Sequence, residues 1–297
     1  MTQTKTKTQA QAQAAPPVQE PDIDLDMFGE GADLLDQQLE VFGFRRIQHM
    51  NENHSYHKGS LIENGGYAIK NEDASAPKIG PTETIKHRGG KTTQMAVAQE
   101  IEVQFVGFSS RYWTVEYDDV VVPGKRISLI VSEYIAPENL PGDKPKCRMG
   151  LSIFVVLRVD TDRRLYEIPF KGFTVEGATK LINDVKGLTA EFAQKVGKRV
   201  HPFAFWMKLG LVPPDQTLMV GKEEQSAVNP PAWISVDEPL EKRLVSKEDY
   251  LRAIDLRREL DAFLATGRYK GVRNDQQQLA APAGANAPAL AAPQVSY

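Results

Sequence analysis

Between Ile101 and Phe170 short apolar-rich runs alternate with shorter polar breaks, and this spacing constrains the fold more than any other feature of the chain. Ile101, Val103 and Phe105 alternate with Glu102 and Gln104, as in a strand with one buried face, and Arg111 to Tyr117 follows after Ser109 and Ser110 to form a hairpin. Arg126 to Glu133 alternates again, Leu151 to Val159 is a nearly continuous apolar run suited to a buried strand, and Leu165 to Phe170 returns after the polar turn Asp160, Thr161, Asp162. Five strands with short connections favour an antiparallel barrel or sandwich over a parallel sheet.

Two helices accompany them. Thr174 is placed to cap a helix with Val175, Ala178, Leu181, Ile182, Val185, Leu188, Phe192 and Val196 on one side, and Gly197 is a natural stop. Gly177 and Gly187 inside it either weaken the helix or mark close packing. The second helix runs from about Lys247 to Ala265, with Ser246 and Asp249 in a capping-box relation, Val245 and Tyr250 as a staple, and Gly267 beyond its end. A shorter acidic helix near Ala32 to Phe42 would be a third. The expected class is α+β, mainly antiparallel β as an OB-like barrel or a sandwich, with two to three helices and disordered termini.

Residues 1–24 and 274–297 are rich in Gln, Ala and Pro and poor in large apolar groups, so neither can bury enough surface to offset its ordering entropy. They are expected as disordered tails around one globular domain, 25–273. No apolar run approaches the roughly 20 residues a bilayer span needs. The segment Met1 to Pro21 lacks the apolar core of a secretory signal, and the single cysteine, Cys147, excludes an intramolecular disulfide. A cytoplasmic location without a membrane partner is the expectation.

The formal net charge of −3 excludes a globally basic nucleic-acid binder, but the charge is unevenly spread. Lys144 to Lys208 holds thirteen basic residues against six acidic, whereas Glu20 to Glu63 holds three against ten. This dipolar pattern is either ordinary surface variation or the footprint of an anionic partner.

Signatures of catalysis are incomplete. Gly89, Gly90, Lys91, Thr92 and Thr93 resemble the end of a phosphate-binding loop, but Ile85 stands where the first glycine is required and the polar run Pro77 to Arg88 stands where a buried strand should precede it. His49, His54 and His57, with Glu52 and Glu63, have one pair at a metal-binding spacing, yet no matching Cys or His pair follows, and solvated or hydrogen-bonded loop histidines account for them better. Lys146 and Arg148 would lower the thiol pKa of Cys147 without implying catalysis. No enzyme activity, metal or cofactor is therefore expected.

One constellation remains. Lys198 and Arg199 precede the aromatic run Phe203 to Lys208, and in a strand from Pro202 to Leu209 Trp206 and Lys208 share the face opposite Phe203, Phe205, Met207 and Leu209. Trp206 is then a candidate for stacking on a base, with cations from Arg163, Arg164, Lys171, Lys198, Arg199 and Lys208 and a second ring from Tyr166. The bland counterpart is a Trp206 packed under a helix with its cations solvated.

Lys146, Cys147 and Arg148 before a buried strand, Pro169 to Gly172 opening a helix, and Gly197 and Lys198 before an aromatic strand together resemble bacterial plasmid and phage proteins, cyanobacterial ones included. Some of those look like single-stranded-DNA-binding or recombination accessory proteins. The resemblance spans about Phe44 to Val236, carries over no site residues, and lacks the acidic C-terminal tip of the common bacterial single-stranded-DNA-binding proteins. It implies a non-enzymatic protein that binds single-stranded DNA or RNA. A structural or assembly protein of a phage or mobile element, without affinity for nucleic acid, is the alternative, and homo-oligomerisation is open in either case.

Overall fold

The computed structural model describes residues 44–52, 57–71, 76–86, 92–118, 126–131, 133–220, 226–234 and 239–266. The tails, the acidic helix expected near Ala32 to Phe42, and the glycines of the candidate phosphate loop lie outside these residues.

The strands are β1 (Arg45–Met50), β2 (Gly66–Lys70), β3 (Thr82–Lys86), β4 (Thr92–Ala98), β5 (Ile101–Phe108), β6 (Tyr112–Asp118), β7 (Arg126–Val131), β8 (Asp143–Leu157), β9 (Leu165–Lys171), β10 (Trp206–Leu211), β11 (Leu218–Val220), β12 (Ser226–Val228) and β13 (Pro231–Trp233). The helices are α1 (Thr174–Val196) and α2 (Lys247–Ala265). Eleven strands form one mixed sheet in the order β13, β10, β5, β8, β9, β1, β2, β4, β3, with β6 paired to β8 and β7 paired to β6. Every pairing is antiparallel except β1 with β9. Among the described residues the end strands β13 and β3 do not pair, so the sheet stays open and the barrel expected from the sequence is not closed.

The fifteen-residue strand β8 organises the sheet. Its first half pairs with β6 and its second half with β5, while β9 covers its opposite edge. Side chains alternate across a strand, and both faces of its central stretch are buried. Leu151, Ile153, Val155 and Leu157 join one core cluster and Phe154 and Val156 another. The uninterrupted apolar run in the sequence therefore reflects burial on both faces, each under a helix, in place of a barrel or a second sheet.

Helix α1 lies over the first face through Val175, Ala178, Leu181, Ile182, Val185 and Phe192, at the three-and-four spacing of one helical stripe. A Cβ on Gly177 would sit 2.8 Å from Pro231 Cδ, so this glycine marks close packing against the segment leading into β13, whereas Gly187 has open space around it. Gly197 ends the helix in the left-handed conformation at φ 64°, its N–H closing onto the last turn. Thr174 is the first helical residue and not its cap; its hydroxyl accepts from Lys171 N and donates to Lys171 O.

Helix α2 crosses the opposite face, where Leu256, Leu260 and Phe263 meet Phe44, Val106, Tyr112, Phe154, Val156, Leu165 and Trp206. Each fully buried leucine contributes about 1.5–3 kcal/mol of burial. Ser246 caps this helix as expected, its hydroxyl accepting from Asp249 N at 3.0 Å. Buried Gln104 on β5 ties the layers together by donating to Phe203 O and Asp249 O.

Candidate nucleic-acid interface

The aromatic run Phe203 to Lys208 divides in two. Pro202–Ala204 is a single 3₁₀ turn, Phe205 makes an isolated bridge to Leu244, and the strand begins only at Trp206. Phe203 stacks on His201 at 4.9 Å with nearly parallel rings, so it leaves the strand alternation expected for it. From Trp206 onward the alternation holds. Met207 and Leu209 enter the core under α1, and Trp206 faces α2.

Trp206 is 8% exposed. The Arg163 guanidinium lies over its ring at 5.1 Å and that of Arg158 at 5.9 Å. These cations occupy the ring where a base would have to stack, which overturns the expectation of Trp206 as a stacking platform. Arg163 is itself fully committed. Its Nε and Nη2 donate to Asp249 Oδ1 and Oδ2 at 2.6 and 3.4 Å, and its Nη1 donates to Arg158 O and Asp160 O, both at 2.8 Å. Holding these partners requires a backbone φ of 49°, rare for a residue with a side chain, in the turn between β8 and β9.

The remaining expected site residues are not brought to one place. Arg164 grips Asp160 through Nε and Nη2, and the Tyr166 hydroxyl donates to the same carboxylate at 2.8 Å. Tyr166 is fully buried in the α1 core and offers no ring to a ligand. Burial opposes the charge on Asp160, but hydrogen bonds from the Arg164 guanidinium, the Tyr166 hydroxyl and the Arg164 N–H together outweigh it and hold the carboxyl below its usual range. Burial first, then the bond to Asp160, raises the Tyr166 phenol. This is a structural lock at the base of the turn. Lys171, at the other end of β9, pairs with Glu116 at 2.8 Å. Lys198 and Arg199 are exposed just beyond α1.

The structure instead gathers a different set. A cleft of about 440 Å³ opens beside the start of α2, lined by Glu102, Arg158, Arg163, Trp206, Met207, Lys208, Lys242, Arg243, Leu244, Ser246 and Asp249. Among the described residues that line it, five cations face two carboxylates. Asp249 is neutralised by Arg163, and Glu102 is bonded by Arg158 at 3.1 Å. Lys208, opposite Glu102 across the β10–β5 pairing, and Lys242 form no ion pair among the described residues. Sequence reasoning selected Arg163, Trp206 and Lys208 but missed Arg158, Lys242 and Arg243. The adjacent basic pair Lys242 and Arg243, just before the Ser246 cap, was the available signal.

Other candidates resolve differently. Thr92 and Thr93 lie on strand β4 opposite Lys86 and Ile85, not at the start of a helix, so the phosphate-loop geometry is absent there. His49 sits on β1 against the Tyr67 and Phe170 rings, His54 lies outside the described residues, and no group of metal-ligating side chains forms among the described residues. Burial raises the Cys147 thiol, although the Ile135 N–H partly offsets it. Lys146 and Arg148 fail to lower it as expected, because neighbours along a strand point to the opposite face. No helix among the described residues is long and apolar enough to cross a membrane. No protein-family model, no curated protein and no solved structure matches the chain.

Proposed function

We propose that the protein binds single-stranded nucleic acid without catalysing a reaction, seating the phosphodiester backbone in the cleft beside the start of α2. The observation that carries this proposal is the charge balance among the described residues of one concave site: five cations against two carboxylates, with both carboxylates already engaged by arginines. Lys208 and Lys242 are the groups assigned to phosphate. The cleft volume falls in the range of small-ligand sites and suits roughly one nucleotide of a flexible strand, which favours a single strand over a rigid duplex. Trp206 is a covered floor and not a stacking platform, so affinity is expected to be electrostatic, indifferent to base sequence and steeply dependent on salt. Lys198 and Arg199 would extend the path if the strand runs past the end of α1.

Fluorescence anisotropy of labelled single-stranded and duplex oligonucleotides, titrated at low and moderate salt, tests this proposal. Preferential single-strand binding that weakens with salt is expected, and no binding at low salt contradicts it. One observation favours the assembly role instead. The two-stranded sheet of β11 and β12 lies apart from the main sheet and exposes Leu218 and Met219 at 45% and 50%. Self-association lost on replacing Leu218 and Met219 with Ser, together with no affinity for nucleic acid, would establish that alternative.

A further inference from the structure

The cleft also complements a part of the chain itself. Between Glu20 and Gly43 lie eight carboxylates and no basic residue, and Asp22, Asp24 and Asp26 alternate with Ile23, Leu25 and Met27. In an extended conformation such a stretch presents acids on one side and apolar groups on the other. The cleft offers a matching surface, with Lys208 and Lys242 beside the 47%-exposed Leu244.

The fold delivers the segment to the correct face. The described chain begins at Phe44, which packs in the same cluster as Trp206 and meets Phe263 near the end of α2 at 5.0 Å. Because α2 begins at the cleft, the path from Phe44 to the cleft follows the helix, about 28 Å for its nineteen residues. Across the sheet, β1 and β10 are four positions apart, about 19 Å at the usual spacing, so either path is short. The 24 residues from Glu20 to Gly43 reach at most about 80 Å, so the span is easily covered.

We infer that the acidic segment Glu20 to Glu40 docks in the basic cleft of its own chain and competes there with an anionic ligand. Tethering gives the segment an effective concentration on the order of millimolar, so weak individual contacts suffice. Its docking stands apart from the nucleic-acid proposal, whereas the competition rests on that proposal.

Carbodiimide coupling of the dilute full-length chain, which joins a carboxylate to a lysine amine only when the two touch, reads the docking directly. Peptide mapping of the monomer is expected to show Glu20 to Glu40 joined to Lys208 or Lys242, with the yield falling as salt rises. Coupling spread evenly over lysines on the opposite side, such as Lys180 and Lys186, or found only in cross-linked dimers, would overturn the inference. A full-length variant carrying Asp22→Asn, Asp24→Asn and Asp26→Asn is expected to show fewer cross-links from the neighbouring carboxylates Glu20 and Glu30 to Lys208 or Lys242 and to bind single-stranded oligonucleotide at least about threefold more tightly. Cross-links in the absence of oligonucleotide binding would sustain the docking and refute the proposed function. Oligonucleotide binding in the absence of cross-links would do the reverse.

Discussion

Replacing Arg163 with alanine tests how the floor of the cleft is built. The substitution removes a charge-assisted pair with Asp249 and two hydrogen bonds to the carbonyls of Arg158 and Asp160. A charged hydrogen bond contributes about 1.5–3 kcal/mol and a neutral one about 1 kcal/mol. The pair is partly solvated, at 25% and 15% side-chain exposure, so screening trims the sum and about 2–3 kcal/mol of lost stability is expected. Alanine retains the cost of the left-handed backbone at φ 49°, whereas glycine does not. Glycine's greater freedom in the unfolded chain offsets part of that gain, so Arg163→Gly should be more stable than Arg163→Ala by about 0.5–1 kcal/mol. Urea unfolding followed by circular dichroism, with an unchanged m-value, measures both. A cost below about 0.5 kcal/mol for alanine, or glycine the less stable of the two, would refute the assignment of Arg163 as the clamp of this turn.

Three further outcomes probe other parts of the fold. Burial holds the His49 imidazole down at about 4 from an ordinary 6.5, against a partial offset from the Asn229 backbone, and its Nε2 is buried without a partner. The folded form is thus neutral where the unfolded form takes up a proton, so stability should be unaffected above pH 6.5 and fall between pH 6.5 and about 4. The loss is about 2–3 kcal/mol once the residue's partial exposure is allowed for, and His49→Gln should remove that part of the pH profile in denaturation titrations. A Cβ on Gly80 would lie 2.1 Å from Val97 O, so Gly80→Ala should cost about 1–3 kcal/mol by thermal or urea unfolding through forced displacement of β4. Removing the α2 cap with Ser246→Ala should cost about 1 kcal/mol in the same assay.

Local patterns in the sequence carried over into the fold where they depend on local chemistry. The Ser246 cap, the Gly197 stop and the apolar run of β8 appear in the structure because hydrogen bonding and burial at those positions act over a few residues, whereas β5, read with one buried face, buries Gln104 and Val106 on the other as well. Strands β1 to β4 were not anticipated; Arg45–Met50 and Thr82–Lys86 read as polar because each fully buries a single side chain, Ile47 and Ile85. The choice between a closed barrel and an open sheet with a helix on each face depends on which edges meet, and no local pattern encodes that. The candidate site divides in the same way. Alternation placed Trp206 and Lys208 on one face, but the partners that cover Trp206 come from the turn after β8, and Lys242 and Arg243 come from the approach to α2. Arg164 and Tyr166 were separated from the cleft by a one-residue matter of register, which turns Tyr166 into the opposite core.

The salt dependence of single-strand affinity, compared between the wild-type chain and a variant carrying Lys208→Ala and Lys242→Ala, tests the central claim most directly. If both lysines neutralise phosphates, the slope of log affinity against log salt should become shallower by about 1.4, two contacts at about 0.7 each for a single strand. A wild-type slope near zero, or a slope unchanged in the variant, would contradict the assignment of the cleft as the phosphate seat.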